Sequence, residues 1–421
     1  DEDGKGLSIW DALSDGHVKH NDNGNIACDQ YHLYKEDIAL MKRMNLQAYR
    51  FSISWPRIMP EEGVINPLGV QYYKNLVEEI KKQGMIPMVT LYHWDLPMWM
   101  HEKGGWKSRD VVEAFAEYTR VVVDALSDEV TYWMTMNEAA TFVGAGYLEG
   151  IHAPFERVEP KTEEFVKRTC ILTKHVLLAH GRAVQIIRER AKTKPVIGIA
   201  MDGKFFMPND NTDEAIATAM ERTYESILDC HRINWWLDPI CKGTYHPQLE
   251  NIVNDEEKAV IAEQIDFIGY NCYKANNFDD DDGPNPDVKP GIPRTAMGWA
   301  ITGDALYWAV RFIHTRYEKP IMITENGMAN VDFIMSDGLV HDQQRIEFLK
   351  LYLAGLKRAA NEGYPIIGYM YWSILDNFEW AEGYDKRFGL VYVNYENQER
   401  MEKDSAIWFA NYIKQQQDEQ S

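Results

Sequence analysis

The sequence is poor in cysteine, in basic residues and in long apolar runs, and each shortage excludes a class of protein. Its 421 residues include five cysteines, an odd number without a Cys-x-x-Cys pair, which favours neither a disulfide framework nor a zinc site. The 44 basic residues against 65 acidic ones give a formal charge of −21, which argues against binding to nucleic acid or to anionic membranes. No stretch approaches the roughly 18 consecutive apolar residues of a membrane span. These shortages together predict a cytoplasmic protein.

The sequence also lacks a boundary that would divide it into domains. The most linker-like segment, 276–293, contains prolines and an acidic run at Asp279–Asp282, and we expect a solvated loop there. The run lacks the alternating ligands and the terminal glutamate of a calcium loop. No glycine-rich phosphate loop follows an apolar segment, so neither a metal ion nor a cofactor is predicted. Residues 1–421 are therefore expected to form one domain.

What the sequence does contain is an alternation of short β-rich segments with amphipathic helical ones. Such an alternation predicts a parallel sheet, and seven strands in a chain of this length indicate an α/β fold, the (β/α)8 TIM barrel. The predicted strands are Gln47–Ser54, Ile86–His93, Thr131–Asn137, Pro195–Met201, Ile265–Asn271, Pro320–Thr324 and Pro365–Trp372. The clearest predicted helices are Gly69–Gln83, Ser108–Leu126, Thr162–Lys192 and Gln343–Asn361.

One strand of the predicted barrel is missing or incomplete, and it would precede Gln47. The chain begins at Asp1 without an initiator methionine or a signal-peptide pattern. We expect either that residues precede Asp1 in the natural protein or that the beginning of the chain has been lost.

Polar side chains follow the predicted strands at the points where the strands end. In a parallel barrel the carboxyl ends of the strands meet at one rim, where functional residues gather. The strand-end residues are Arg50, His93, Trp94, Asn137, Glu138, Asn271, Tyr273, Glu325 and Trp372. A carboxylate at the end of an apolar strand is costly unless it is paired or hydrogen-bonded, so a convergence of this kind predicts a functional site.

Two of these residues, Glu138 and Glu325, are glutamates that lie far apart in the sequence. Two carboxyls in one partly dry site oppose each other's ionisation, so that one keeps its proton while the other is charged. Cleavage of a glycosidic bond needs such a pair. A lone strand-end glutamate would be explained equally well by a surface ion pair or a capped loop. The pair together with thirteen tryptophans, whose flat rings suit the C–H faces of a sugar, favours a sugar site.

The motifs at these strand ends resemble, in the same order, those of glycoside hydrolase family 1, the β-glucosidase family. The matching segments are Asp3–Asp11, Tyr49–Arg57, Tyr92–Pro97, Thr135–Glu138, Ile323–Gly327 and Trp372–Tyr384. The resemblance implies a single (β/α)8 glycosidase domain that hydrolyses unphosphorylated β-D-glucosides by a retaining, double-displacement mechanism. The expected partners are small β-glucosides or short oligosaccharides, while association into a homo-oligomer is left open.

The resemblance also implies a role for each matching residue. Glu325 would be the nucleophile and Glu138 the acid/base, with carboxyls roughly 5 Å apart. The residues that would support these carboxyls are Arg50, Tyr273 and Asn271. The residues that would bind the sugar are His93, Trp94, Asn137, Trp299, Trp372, Glu379 and Trp380. Core packing would explain Trp299 equally well, and a carboxylate at Glu379 would disfavour a phosphorylated sugar.

The sequence departs from the family pattern at three places. The first strand, which carries a sugar-binding glutamine in the family, has no counterpart here. Ala139 stands where a proline usually follows the acid/base, and Cys272 stands where an aromatic residue usually precedes Tyr273. A barrel without one strand has two unpaired edges. A second hypothesis is therefore kept, namely a degenerate relative that binds sugar or is inactive.

Overall fold

Seven parallel strands form a nearly closed barrel with helices around it, which confirms the predicted (β/α)8 fold. The computed structural model describes residues 2–276 and 290–420, and the acidic run at Asp279–Asp282 lies outside these ranges. The strands, which pair in chain order, are β1 (Ala48–Ser52), β2 (Ile86–Tyr92), β3 (Tyr132–Asn137), β4 (Val196–Met201), β5 (Phe267–Asn271), β6 (Ile321–Asn326) and β7 (Ile366–Tyr371). All seven predicted strands are present and differ from the prediction only at their ends. A two-stranded antiparallel ribbon consists of β8 (Val391–Val393) and β9 (Arg400–Glu402).

The helices surround the barrel and include all four that the sequence predicts most clearly. The α-helices are α1 (Ile9–Leu13), α2 (Gln30–Arg43), α3 (Trp55–Ile58), α4 (Pro67–Lys82), α5 (Met98–Glu102), α6 (Asp110–Leu126), α7 (Ala139–Val143), α8 (Glu163–Arg190), α9 (Asp213–Thr223), α10 (Ile233–Lys242), α11 (Pro247–Glu250), α12 (Asp255–Ile261), α13 (Ala305–Tyr317), α14 (Gln343–Asn361) and α15 (Asp404–Gln420). A π-helical turn spans Gly144–Leu148, and short 3₁₀ helices span Glu2–Gly4, Lys19–Asn21, Gly105–Lys107 and Trp380–Glu382. None of the helices within the described ranges combines the length and the apolar character of a membrane span.

Local sequence signals account for where the helices begin. The side chain of Asn66 accepts a hydrogen bond from the main chain of Leu68, and Pro67 occupies the first position of α4, where its missing N–H costs nothing. Thr162 caps α8 in the same way by accepting from the main chain of Phe165. These caps fix the helix starts that hydrophobic periodicity alone leaves uncertain by a few residues.

The interior of the barrel is filled by side chains rather than open. Strands β2 to β6 are buried along almost their whole length, as expected for parallel strands that are covered on both faces. The side chains of Met88, Met134, Phe267 and Met322 pack together inside the barrel. Gly198 makes room for Phe267, since a Cβ at this position would lie 2.5 Å from the phenylalanine ring. The packed interior leaves the rim at the carboxyl ends of the strands as the place for a site.

The barrel has a gap between β1 and β7, as the missing first strand predicts. Within the described residues each of these two strands pairs on one side only, and both are less buried than β2 to β6. A cavity of about 670 Å³ lies between them and is bordered by α2 and α15. The cavity extends to Arg50, His93 and Trp372 at the rim.

A buried network of charged side chains ties the loops beyond β6 and β7 to the helices behind them. The guanidinium of Arg345 on α14 is fully buried and pairs with Asp342 and, at 2.7 Å, with Asp332. The ammonium of Lys403 lies 2.6 Å from Asp332 and 2.7 Å from Asp376. Because Asp332 follows β6 and Asp376 follows β7, the network anchors two loops of the rim.

We expect Arg345→Met to lower the free energy of unfolding by about 3–5 kcal/mol, because it leaves the buried Asp342 without its cation. Lys350→Met on the same helix is the matched control. Lys350 pairs with Glu347 at the exposed surface, where an ion pair contributes about 1 kcal/mol or less. Chemical denaturation of both variants measures the difference, and equal losses would mean that the buried network does not stabilise the fold.

Candidate active site

The strand-end residues that the sequence predicts lie together at the carboxyl-terminal rim of the barrel. Glu325 belongs to β6, and Glu138 directly follows β3. Both are buried, with 3% of Glu325 and 9% of Glu138 exposed. Burial of a carboxyl is costly unless the group is hydrogen-bonded or paired with a cation, so both carboxyls must have such partners.

Each oxygen of the Glu325 carboxylate accepts a hydrogen bond from a strong donor. The guanidinium of Arg50 on β1 donates to Oε1 at 2.8 Å, and the phenol of Tyr273 donates to Oε2 at 2.6 Å. Burial and the Glu325 carboxylate raise the pKa of Tyr273 well above its ordinary value, so the phenol keeps the proton that it donates. These two contacts hold the Glu325 carboxylate in one orientation.

A chain of hydrogen bonds connects this carboxylate to the second one. Arg50 also donates to Asn137 Oδ1 at 2.6 Å, and the amide of Asn271 donates to the same oxygen at 3.1 Å. The Asn271 amide donates in addition to Glu138 Oε1 at 2.7 Å. The two carboxyls are therefore parts of one connected network, and Arg50, Asn137 and Asn271 fix their relative positions.

The electrostatic surroundings of Glu138 differ from those of Glu325. Burial raises the pKa of Glu138 well above its ordinary value, and the nearby carboxyls of Asp202 and Glu325 raise it further. The hydrogen bond from Asn271 opposes this shift without cancelling it. The site thus combines a carboxyl that keeps its proton with a carboxylate held by two donors.

Burial also sets the protonation of two other residues at the rim. Burial and the charge of Arg50 lower the pKa of His93 well below its ordinary value, so its imidazole is neutral. The amide of Asn137 lies 3.2 Å from His93 Nε2. Burial and the charge of Glu325 raise the pKa of Glu379 to about 8, so below that pH this carboxyl is protonated and can donate as well as accept.

Aromatic rings line one side of the site. The ring of His93 stacks with those of Trp372 and Trp380, with centroids 5.7 Å and 6.1 Å apart. The ring centroids of Trp94 and Trp380 lie 5.2 Å apart, and the indole N–H of Trp94 donates to the main-chain carbonyl of Asn137. These rings form the kind of wall that packs against the C–H faces of a sugar.

Trp299 packs against Tyr273, the residue whose phenol donates a hydrogen bond to Glu325. Its ring centroid lies 5.2 Å from that of Tyr273, and its side chain is half-buried. The alternative of core packing is therefore not favoured, because Trp299 lies outside the buried core clusters.

The backbone at the rim adopts conformations that residues with side chains rarely take. The φ angles are 80° at Trp94, 51° at Glu138 and 48° at Trp380, all in the left-handed region. Each such residue costs on the order of 1–3 kcal/mol, and such residues concentrate at functional sites. This strain is an indication of function that is independent of the charges.

Sequence reasoning missed several residues that the structure places at the site. Thr90 accepts from Arg50 Nε at 3.0 Å, and the hydroxyl of Thr324 donates to Asn271 at 2.6 Å. Trp10 packs against Trp380 with ring centroids 4.7 Å apart. Asp202 follows β4, and the strand-end pattern would have found it had it been applied to that strand. Among the described residues no group of three or more histidine, cysteine or acidic side chains is placed to hold a metal ion.

Comparisons with known proteins agree with this geometry. The family model of Glycosyl hydrolase family 1 matches residues 1–418. The chain is 40% identical to Beta-glucosidase A of Thermotoga maritima, over 98% of this chain and 93% of that relative. It is 39% identical to a 1,4-beta-D-glucan glucohydrolase of Thermotoga neapolitana, over 98% of this chain and 93% of that relative. The solved structure of the Thermotoga maritima beta-glucosidase in complex with castanospermine superposes with a TM-score of 0.87 at 39% identity, covering 98% of this chain and 93% of that one.

Proposed function

Since the chain belongs to glycosyl hydrolase family 1 and is a glycoside hydrolase, we propose that it is a retaining β-glucosidase acting on unphosphorylated β-D-glucosides. The proposal takes residues 1–421 as one glycosidase domain. The observation that carries it is the contrast between the two connected carboxyls. Glu325 accepts from Arg50 and Tyr273, whereas Glu138 has a pKa raised well above its ordinary value.

The first half of the reaction uses both carboxyls at once. Glu325 attacks the anomeric carbon while Glu138 gives its proton to the glycosidic oxygen, so the bond to the leaving alcohol breaks and a glycosyl ester of Glu325 forms. In the second half, the ionised Glu138 takes a proton from water. The resulting hydroxide attacks the anomeric carbon and releases Glu325, and two inversions leave the sugar with its original configuration.

The residues at the rim would hold the sugar. Asn137 would bond the 2-hydroxyl, a contact that strengthens in the transition state. The neutral His93 and the indole of Trp380 would bond the 3-hydroxyl, and Trp372 would stack beneath the ring. Glu379 would bond the 4- and 6-hydroxyls, and its raised pKa lets it donate one of these hydrogen bonds.

The stereochemistry of the first product tests the proposal. We expect that hydrolysis of 4-nitrophenyl β-glucoside, followed by proton NMR from the first minutes, yields β-glucose before mutarotation forms the α anomer. A sample of β-glucose in the same buffer, without enzyme, gives the rate of mutarotation. If α-glucose formed first, the double displacement and the nucleophilic role of Glu325 would both be wrong.

The gap between β1 and β7 favours a second candidate function, a sugar-binding protein without turnover. The cavity in this gap reaches Arg50, His93 and Trp372, which are three of the residues assigned to the site. Calorimetric binding of glucose by a purified chain that does not hydrolyse any aryl β-glucoside would support this candidate over the enzyme.

A further inference from the structure

A further carboxyl, that of Asp202, lies at the end of the strand next to the acid/base and has no part in the reaction described above. Asp202 directly follows β4, and Glu138 directly follows the neighbouring strand β3. The main-chain N–H of Glu138 donates to the carbonyl of Ala200 at 2.8 Å, which fixes the two strand ends against each other. Two carboxyls therefore leave adjacent strands at the same rim.

The two oxygens of Asp202 have different surroundings. The hydroxyl of Thr141 donates to Oδ2 at 2.6 Å. Thr141 lies on α7, the short helix that begins directly after Glu138, so Asp202 is bonded to the segment that carries the acid/base. Oδ1 is buried and has no hydrogen-bond partner among residues 2–276 and 290–420. A buried carboxylate oxygen without a hydrogen-bond partner is uncommon in folded proteins and indicates more than a packing role for Asp202.

The charge of His231 acts on Asp202 against the effect of burial. Burial raises the pKa of Asp202, and the charge of His231 opposes that rise. Burial by itself would lower the pKa of His231, but the hydrogen bond and the charge of Glu149 raise it overall, and the two side chains are 2.7 Å apart. Thr141 and His231 thus limit the rise in the pKa of Asp202 without reversing it.

The groups that face Glu138 favour its protonated form. Besides Asp202, the carboxylate of Glu325 faces it from β6, and the guanidinium of Arg50 from β1 opposes them. From the β5 side, burial raises the pKa values of Tyr270 and Tyr273 well above their ordinary values, so neither phenol adds a charge. Glu138 is therefore the carboxyl of this pair with the stronger tendency to keep its proton.

We propose that Asp202 is a positioning residue whose carboxylate, hydrogen-bonded by Thr141, keeps the proton on Glu138 until the leaving group takes it. The inference rests on the proposed function, because that function makes Glu138 the acid. Asp202 exchanges no atoms with the substrate. It acts in both halves of the reaction, since a carboxylate beside the ionised Glu138 also makes Glu138 a stronger base towards water.

The pH dependence of kcat/KM for an aryl β-glucoside tests the inference with Asp202→Asn. The asparagine keeps the size of the side chain and an oxygen that accepts from Thr141, but it removes the charge. Because a neighbouring negative charge raises the pKa of a carboxyl, its removal lowers that of Glu138. We expect the alkaline limb of the profile to move to lower pH by about one unit, with kcat/KM about tenfold lower above that limb.

Two further variants separate this effect from a general disturbance of the fold. Asp266→Asn removes a carboxylate that pairs with Arg188 directly before β5, at the opposite end of the barrel, and it should leave the alkaline limb in place. Thr141→Val withdraws the donor from Asp202 and should move the limb in the same direction as Asp202→Asn by a smaller amount. It provides the test if the asparagine variant does not fold.

If the alkaline limb of the pH profile stays in place in a folded Asp202→Asn variant, the inference is wrong, even if kcat/KM is lower. The proposed function would remain supported in that case if β-glucose is still the first product. Formation of α-glucose by the unmodified enzyme would instead remove the proposed function and the inference together.

Discussion

Glu325→Ala is expected to abolish the hydrolysis of aryl β-glucosides, with kcat lowered by about 10⁴-fold or more. The substitution removes the group that forms the glycosyl ester. It leaves Arg50 and Tyr273, which donate to its two oxygens in the intact site, without a nucleophile to orient. Steady-state release of nitrophenol measures the loss. Near-normal turnover by this variant would show that the nucleophile has been assigned to the wrong residue.

Azide should restore turnover to Glu325→Ala, because a small anion fits into the space that the carboxylate leaves. The attack comes from the side of the missing side chain, so the expected product is α-glucosyl azide. Glu325→Gln is the matched control, since its amide fills the same space and cannot attack, and azide should not rescue it. Formation of β-glucosyl azide by Glu325→Ala would contradict the assignment.

Glu138→Ala is expected to slow substrates with poor leaving groups by about 10²–10⁴-fold, the usual contribution of a general acid. Substrates that release an acidic phenol, such as 2,4-dinitrophenyl β-glucoside, need no proton and should lose far less in the glycosylation step. Pre-steady-state kinetics over a series of aryl glucosides measures this dependence on leaving-group pKa.

Glu138→Gln is the control for a loss caused by a cavity rather than by the missing proton. The glutamine keeps the size of the side chain and an oxygen for the hydrogen bond from Asn271, yet it cannot act as an acid. Both variants should show the same dependence on the leaving group. Equal losses for all leaving groups would mean that Glu138 does not protonate the glycosidic oxygen.

The sequence predicts most of the rim, because an apolar run that ends in a polar side chain marks the end of a barrel strand. It predicts the end of β6 at Thr324, whereas the strand continues to Asn326. The prediction stops too early because polar residues are unfavourable in a buried strand unless they have partners. Here the hydroxyl of Thr324 donates to Asn271, and the amide of Asn326 donates to the carbonyl of Cys272.

Other features of the site depend on distances that no sequence pattern contains. The importance of Asp202 comes from its contact with Thr141, 61 residues earlier in the chain. Glu379 appears in the sequence as an ordinary carboxylate, and only its burial beside Glu325 raises its pKa to about 8. The position of Trp10 against Trp380 results from the packing of α1 against the short 3₁₀ helix Trp380–Glu382, two segments from opposite ends of the chain.

The gap in the barrel lies between β1 and β7, and residues of the candidate site lie on or next to both of these strands. Arg50 belongs to β1 and Trp372 follows β7, and within the described residues the backbone ladder holds each of these strands on one side only. Amide hydrogens in β1 and β7 will therefore exchange with solvent sooner than those in β3 to β5, through local opening of this flank.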